Sequence, residues 1–133
     1  MGLTRWPTRY AMFITAVLLL AGCGPSGPRR FHLSGTVTFR GQPVSSGTIS
    51  FDPVEPGVGG GFAFIVDGVY DTADGGRGHL GGKHVVRITG DTGKLLDPGN
   101  PDLGTAQLFP TYETTLDLPQ RRDTKDFEVP ASP

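Results

Sequence analysis

A lone cysteine, Cys23, in 133 residues excludes an intrachain disulfide framework, so apolar burial and hydrogen bonds must hold the fold. No sign of charge dominates either, with twelve Lys and Arg against thirteen Asp and Glu. Binding to nucleic acid rests on a basic surface that displaces counterions from phosphates, and without such an excess nucleic acid is excluded as a partner. Long apolar runs are missing too. The longest, Ala11–Leu20, is ten residues, well short of the roughly 20 needed to cross a bilayer as a helix. From Phe31 onward no stretch keeps the 3.6-residue apolar spacing of an amphipathic helix.

Glycine and proline, by contrast, are abundant, at 21 and 12 residues. They cluster at Gly57–Gly61, Gly75–Gly82 and Pro98–Gly104, and short β-branched and aromatic runs stand between the clusters. That distribution marks turns between strands, not a disordered chain. The length allows one domain, and roughly 100 residues can bury a workable core.

The first ten residues carry Arg5 and Arg9 and no acid, and small residues follow the apolar run. This is the three-part plan of a cleaved secretory signal over residues 1–22, a signal helix removed on export. At its end, Leu20-Ala21-Gly22-Cys23 resembles the lipobox of bacterial lipoproteins. The resemblance implies a diacylglyceryl group on the Cys23 thiol, cleavage before Cys23, and a further acyl chain such as palmitate on the freed amine. Thiolate chemistry explains why cysteine is required there. Two or three acyl chains anchor stably because each buried CH₂ contributes about 0.8 kcal/mol. Once residues 1–22 are gone, ten basic side chains face thirteen acidic ones, so attachment to the lipid bilayer runs through acylated Cys23 and not through charge. Residues 23–30 form a flexible tether in which Gly24–Arg30, with two prolines, spans at most about 25 Å. Arg29 and Arg30 read as solvated, with anionic headgroups the alternative contact. Gly24 after the cysteine, where Asp would signal retention in the resembled family, favours the periplasmic face of the outer membrane over the inner membrane or cell surface.

Alternation with period two recurs from Phe31 on. Phe31, Leu33, Val37 and Phe39 share one face, predicted to be the core, and Gly47, Ile49 and Phe51 share another; Ser46, Thr48 and Ser50 face water. Gly61–Val66 is apolar nearly throughout, as expected of a strand covered on both faces or lying mid-sheet. Asp67-Gly68 is a tight-turn pair. In Lys83–Thr89, His84, Val86 and Ile88 point inward. A long connection, Gly90–Thr105, leads to Ala106–Leu118 with Leu108, Tyr112, Leu116 and Leu118 in phase, and Asp126–Val129 closes the domain. About seven short strands without a helix predict an all-β, antiparallel sandwich.

The run Leu33-Ser34-Gly35-Thr36-Val37-Thr38-Phe39-Arg40-Gly41-Gln42-Pro43-Val44, with Gly47–Pro53, Gly82–Ile88, Leu108–Leu116 and Asp126–Val129, resembles the carboxypeptidase regulatory-like domain. The resemblance implies a transthyretin-like (prealbumin-like) Greek-key β-sandwich over residues 31–130, followed by a tail, 131–133. It also implies a module that accompanies catalysis without performing it. Transthyretin-like hydroxyisourate hydrolases end in a Tyr-Arg-Gly-Ser type tail, which the ending Phe127-Glu128-Val129-Pro130-Ala131-Ser132-Pro133 lacks. Two departures stand out: His84 occupies a position usually aromatic, and Thr72–Gly82 is richer in glycine than usual, as a mobile loop would be.

Candidate sites are sparse. His32 and Ser34 fall on the outward face of the first strand, His79 in a glycine-rich loop and His84 inward. Without HxH, HxxxH or Cys/His spacing, structural or solvated roles are expected and no metal ligand is assigned. Asp67, Asp71 and Asp74 precede Gly75-Gly76 but lack EF-hand spacing. No GxSxG elbow or phosphate-cradling loop is present. No catalytic, cofactor-binding or metal residue is therefore assigned; the assigned positions are Cys23 for lipid and Leu20, Ala21 and Gly22 for the lipobox. The expected function is a lipid-anchored, non-enzymatic module facing an unidentified envelope protein or polysaccharide. A small-ligand, Ca²⁺-binding or enzymatic use of the Asp67–His84 region is the alternative.

Overall fold

The computed structural model describes Gly2, residues 27–57 and residues 59–131. Cys23, the residues Leu20, Ala21 and Gly22 expected to form a lipobox, and nearly all of the expected signal segment lie outside the described residues. No helix among the described residues is long and apolar enough to cross a membrane.

Ten strands make up an all-β fold: β1 Leu33–Phe39, β2 Gln42–Pro43, β3 Ser46–Pro53, β4 Gly61–Val66, β5 Val69–Asp71, β6 Gly82–Leu95, β7 Thr105–Gln107, β8 Tyr112–Leu118, β9 Asp123–Thr124 and β10 Phe127–Val129. Tight turns join the first hairpins. Arg40-Gly41 and Asp67-Gly68 both take positive φ (52° and 74°, 51° and 77°), the two-residue geometry whose twist matches the flanking strands. The sheet order runs β10-β1-β5-β4-β3-β6, with β8 and β7 both on the far side of β6 and β9 beside β1. Pairing is antiparallel except where β9 and β10 lie parallel to β1.

Chain connectivity forces this sheet to curl. β8 sits at one edge and β9 at the other, with five strands between them. Flat, that would separate the edges by roughly 29 Å at about 4.8 Å per strand. Yet only four residues, Pro119–Arg122, lie between Leu118 and Asp123, a span of at most about 18 Å. The sheet therefore wraps around its own concave face, where Leu33, Val37, Ile49, Phe51, Ile65 and Val86 are fully buried. Gly35 lets the wrap close: a β-carbon there would meet the backbone carbonyl of Lys125. The segment before β10 can lie against β1 only because that position is bare.

Several expectations need correction. Ten strands replace the expected seven, because short β2, β7 and β9 carry little sequence signal. β4 lies mid-sheet between β5 and β3, the second of the two arrangements expected for it, but is covered on one face only: Ala63 and Ile65 are buried while Phe64 and Val66 are 55% and 63% exposed. Gly90–Thr105 is not a plain connection, since β6 runs on to Leu95, pairs with β7 and returns through a 3₁₀ turn at Pro101–Leu103. The run Ala106–Leu118 splits at Ser-free, proline-marked Phe109-Pro110, where the chain leaves the ladder between β7 and β8. Phe31, placed on the core face, is only half-buried, and a single bridge to His79 holds its backbone.

Candidate functional site

The two ends of the curled sheet differ. Residue 30 enters at the end formed by the start of β1, the end of β3 and the start of β6; the end of β1, the β4–β5 turn and the start of β8 form the opposite, distal end.

An apolar groove of about 450 Å³ opens at the distal end, lined by Phe39, Leu108, Phe109, Tyr112, Val129 and Pro130 among others. It lies where the start of β8 faces the end of β10 across the unpaired edges of the sheet. Phe109 is buried against the bare backbone of Gly90 and the side chain of Val44. Its ring stands 5.0 Å from that of Phe39, which the Arg40 guanidinium covers at 5.1 Å. Cation and aromatic face attract in this arrangement. A second hollow of about 380 Å³ adjoins across Phe39 and Leu108 and is edged by Asp91 and Gln42. An aromatic floor with a cationic and a carboxylate rim suits an apolar side chain or the flat face of a sugar ring. Sequence reasoning missed this groove. Phe109-Pro110-Thr111-Tyr112, which breaks the alternation with an aromatic on either side of a proline, was the available signal.

At the end where residue 30 enters, His79 and His84 are both fully buried, with ring centroids 5.6 Å apart at 77°. The Gly81 N–H donates to His79 Nδ1 at 2.9 Å, and His84 Nδ1 lies 2.9 Å from the Gly82 carbonyl. A backbone N–H only donates and a carbonyl only accepts, so the neutral forms of the two rings are opposite tautomers. His79 bears its proton on Nε2 and His84 on Nδ1. Both buried Nε2 atoms lack a protein partner, one as donor and the other as acceptor. Burial first, and then the proximity of His84 and His32, pushes His79 down to about 4. It is uncharged at neutral pH, and with Nδ1 occupied and Nε2 protonated it offers a metal no lone pair.

His79 lies in the glycine-rich loop as expected but is buried there, its segment laced to Phe31 and Phe62 by backbone bridges. His84 points inward as expected. His32 is half-buried and shares a 3.2 Å hydrogen bond with the buried Thr72 hydroxyl, which also accepts the Leu33 N–H. Asp67 occupies the distal β4–β5 turn, whereas Asp71 lies at the other end of β5, where its carboxylate accepts the Ala73 N–H. The structure does not bring the three aspartates to one point. Among the described residues no group of three or more His, Cys, Asp or Glu converges on a metal position.

Comparison with protein-family models, with curated proteins and with solved structures finds no match.

Proposed function

We propose that this chain is a membrane-anchored lipoprotein that presents a non-catalytic β-module at the cell envelope. The observation that carries it is Leu20-Ala21-Gly22-Cys23, placed directly behind a charged and then apolar N-terminus and containing the chain's sole cysteine. The all-β domain begins within ten residues of that cysteine, so the intervening chain is short enough to serve as a tether. The module is read as a transthyretin-like Greek-key sandwich of the carboxypeptidase regulatory-like type, and the buried, complementary histidine pair serves its packing. The distal groove is the surface offered to an envelope protein or polysaccharide, and the periplasmic face of the outer membrane is the favoured location.

Intact mass measurement of the membrane-extracted protein tests this reading. Loss of residues 1–22 together with a gain of two or three acyl chains is expected. A Cys23→Ser variant should leave the membrane fraction on carbonate washing; retention of that variant, normally processed, refutes the anchor.

A further inference from the structure

The tether does not hang loosely where it meets the domain. Arg30 donates from Nη1 to the Gly78 carbonyl at 2.8 Å and to that of Gly60 at 3.4 Å, and from Nη2 to the Gly59 carbonyl at 2.8 Å. Arg77 comes to the same place, its Nη1 3.6 Å from where a Gly59 β-carbon would stand. Its charge, after partial burial, acts to lower the Arg30 pKa, as expected of two like charges held close. Arg29 lies over the Phe31 ring at 5.4 Å on the same entry segment. Among the described residues none of these three arginines has a carboxylate within ion-pairing distance, although Arg87 and Arg121 elsewhere do. The carboxylate beside Gly60 is that of Asp52, and it pairs with Arg87 at 2.6 Å. Cations held adjacent without a counter-charge repel one another, and a bound anion relieves the repulsion.

We infer that Arg29, Arg30 and Arg77 form a docking site for the phosphate of an anionic phospholipid headgroup, seating the tether end of the domain on the bilayer. The inference rests on the anchoring reading, which sets the membrane within the tether's reach of this site. Charge on the opposite end agrees with it: Asp91, Asp97 and Asp102 outnumber Lys94 on the β6–β7 arm, which an anionic surface repels. Arg30 serves as the fixed element, its geometry set by three carbonyls, while Arg29 and Arg77 are free to close on phosphate oxygens as paired N–H donors. The docked domain stands upright, with the Phe39–Phe109 groove turned away from the lipid.

The test uses the full acylated protein, its acyl mass verified, in phosphatidylcholine vesicles with or without phosphatidylglycerol. Because Cys23 is blocked by its thioether, a fluorophore can be attached through Val54→Cys beside the site or through Leu103→Cys on the distal arm, and quenched from the lipid headgroups. Phosphatidylglycerol should increase quenching at position 54 and not at 103. Arg29→Ala and Arg77→Ala should each lower occupancy of the docked state by roughly fivefold, and high salt should erase it. Both side chains are exposed, so melting temperatures should not move; Arg29→Lys with Arg77→Lys, which keeps the charge and loses the paired N–H donors, should restore docking only in part. Equal quenching at both positions, or a phosphatidylglycerol effect indifferent to both arginines, overturns the proposal. So does stabilisation by inorganic phosphate that needs Arg77 while phosphatidylglycerol has no effect, which would make the site one for phosphate in solution. The two readings fail separately: a missing acyl mass refutes the anchor, whereas an acylated protein whose position-54 label ignores phosphatidylglycerol refutes the arginine site alone.

Discussion

His79 illustrates how much one buried side chain can set. Its pKa falls from about 6.5 unfolded to about 4 folded, so between those values the unfolded chain holds a proton that the native state does not. Stability on this account is full above pH 6.5 and is lost as pH falls toward 4, by up to roughly 3 kcal/mol. Urea denaturation across that range should show the slope, and His79→Leu should flatten it while lowering stability at neutral pH by orphaning the Gly81 N–H. Gly35 acts through absence. Gly35→Ala drives a methyl into the Lys125 carbonyl and should cost about 1–3 kcal/mol in thermal or urea unfolding. Tyr70 fastens the same segment, its hydroxyl donating to the Lys125 carbonyl at 2.6 Å. Burial, then the neighbouring carboxylates of Asp126, Asp123 and Asp71, raises its pKa well above the ordinary phenol value. Tyr70→Phe should lose about 1 kcal/mol by the same assays. The inward direction of His84 was legible because it keeps phase with Val86 and Ile88. His79 has no such phase: it sits among glycines, and what buries it is Phe31, Phe51 and His84 from three other parts of the chain.

Elements follow the same division. β1, β3 and β6 could be read from alternation because each has one face inside the curl and one outside. β4 could not, since Phe62, Phe64 and Val66 on its outer face are as apolar as Ala63 and Ile65 on its inner face. The arm formed by the end of β6 and β7 was hidden by its composition, all but Thr105 and Ala106 of residues 92–107 being exposed. It packs on nothing in the core, so it should be dispensable to folding. Replacing Thr92–Ala106 with Asn-Gly joins the paired residues Asp91 and Gln107 through a two-residue turn and should change stability by less than about 1 kcal/mol, measured by urea denaturation.

For the whole molecule, the curl gives the domain two unlike ends, one holding the tether and the buried histidines, the other the aromatic groove and the acidic arm. Leu108→Asp places a charge on the groove wall; under the proposed function, crosslinking in intact cells should then lose an envelope partner while the acyl mass stays unchanged. The sequence by itself determined the all-β class and the inward faces of the longest strands. Those are properties of neighbouring residues, since period two is written into positions i and i+2. Only tertiary structure decided the wrap of the sheet, the burial of His79, the groove and the approach of Arg77 to Arg30. These depend on partners 30, 48, 55 and 90 residues apart, as in Arg30 with Gly60 and Gly78, Tyr70 with Lys125, and Thr36 with Asp126. No local period encodes such pairs; they form because closing the sheet is the one way this chain can bury its inner faces at once.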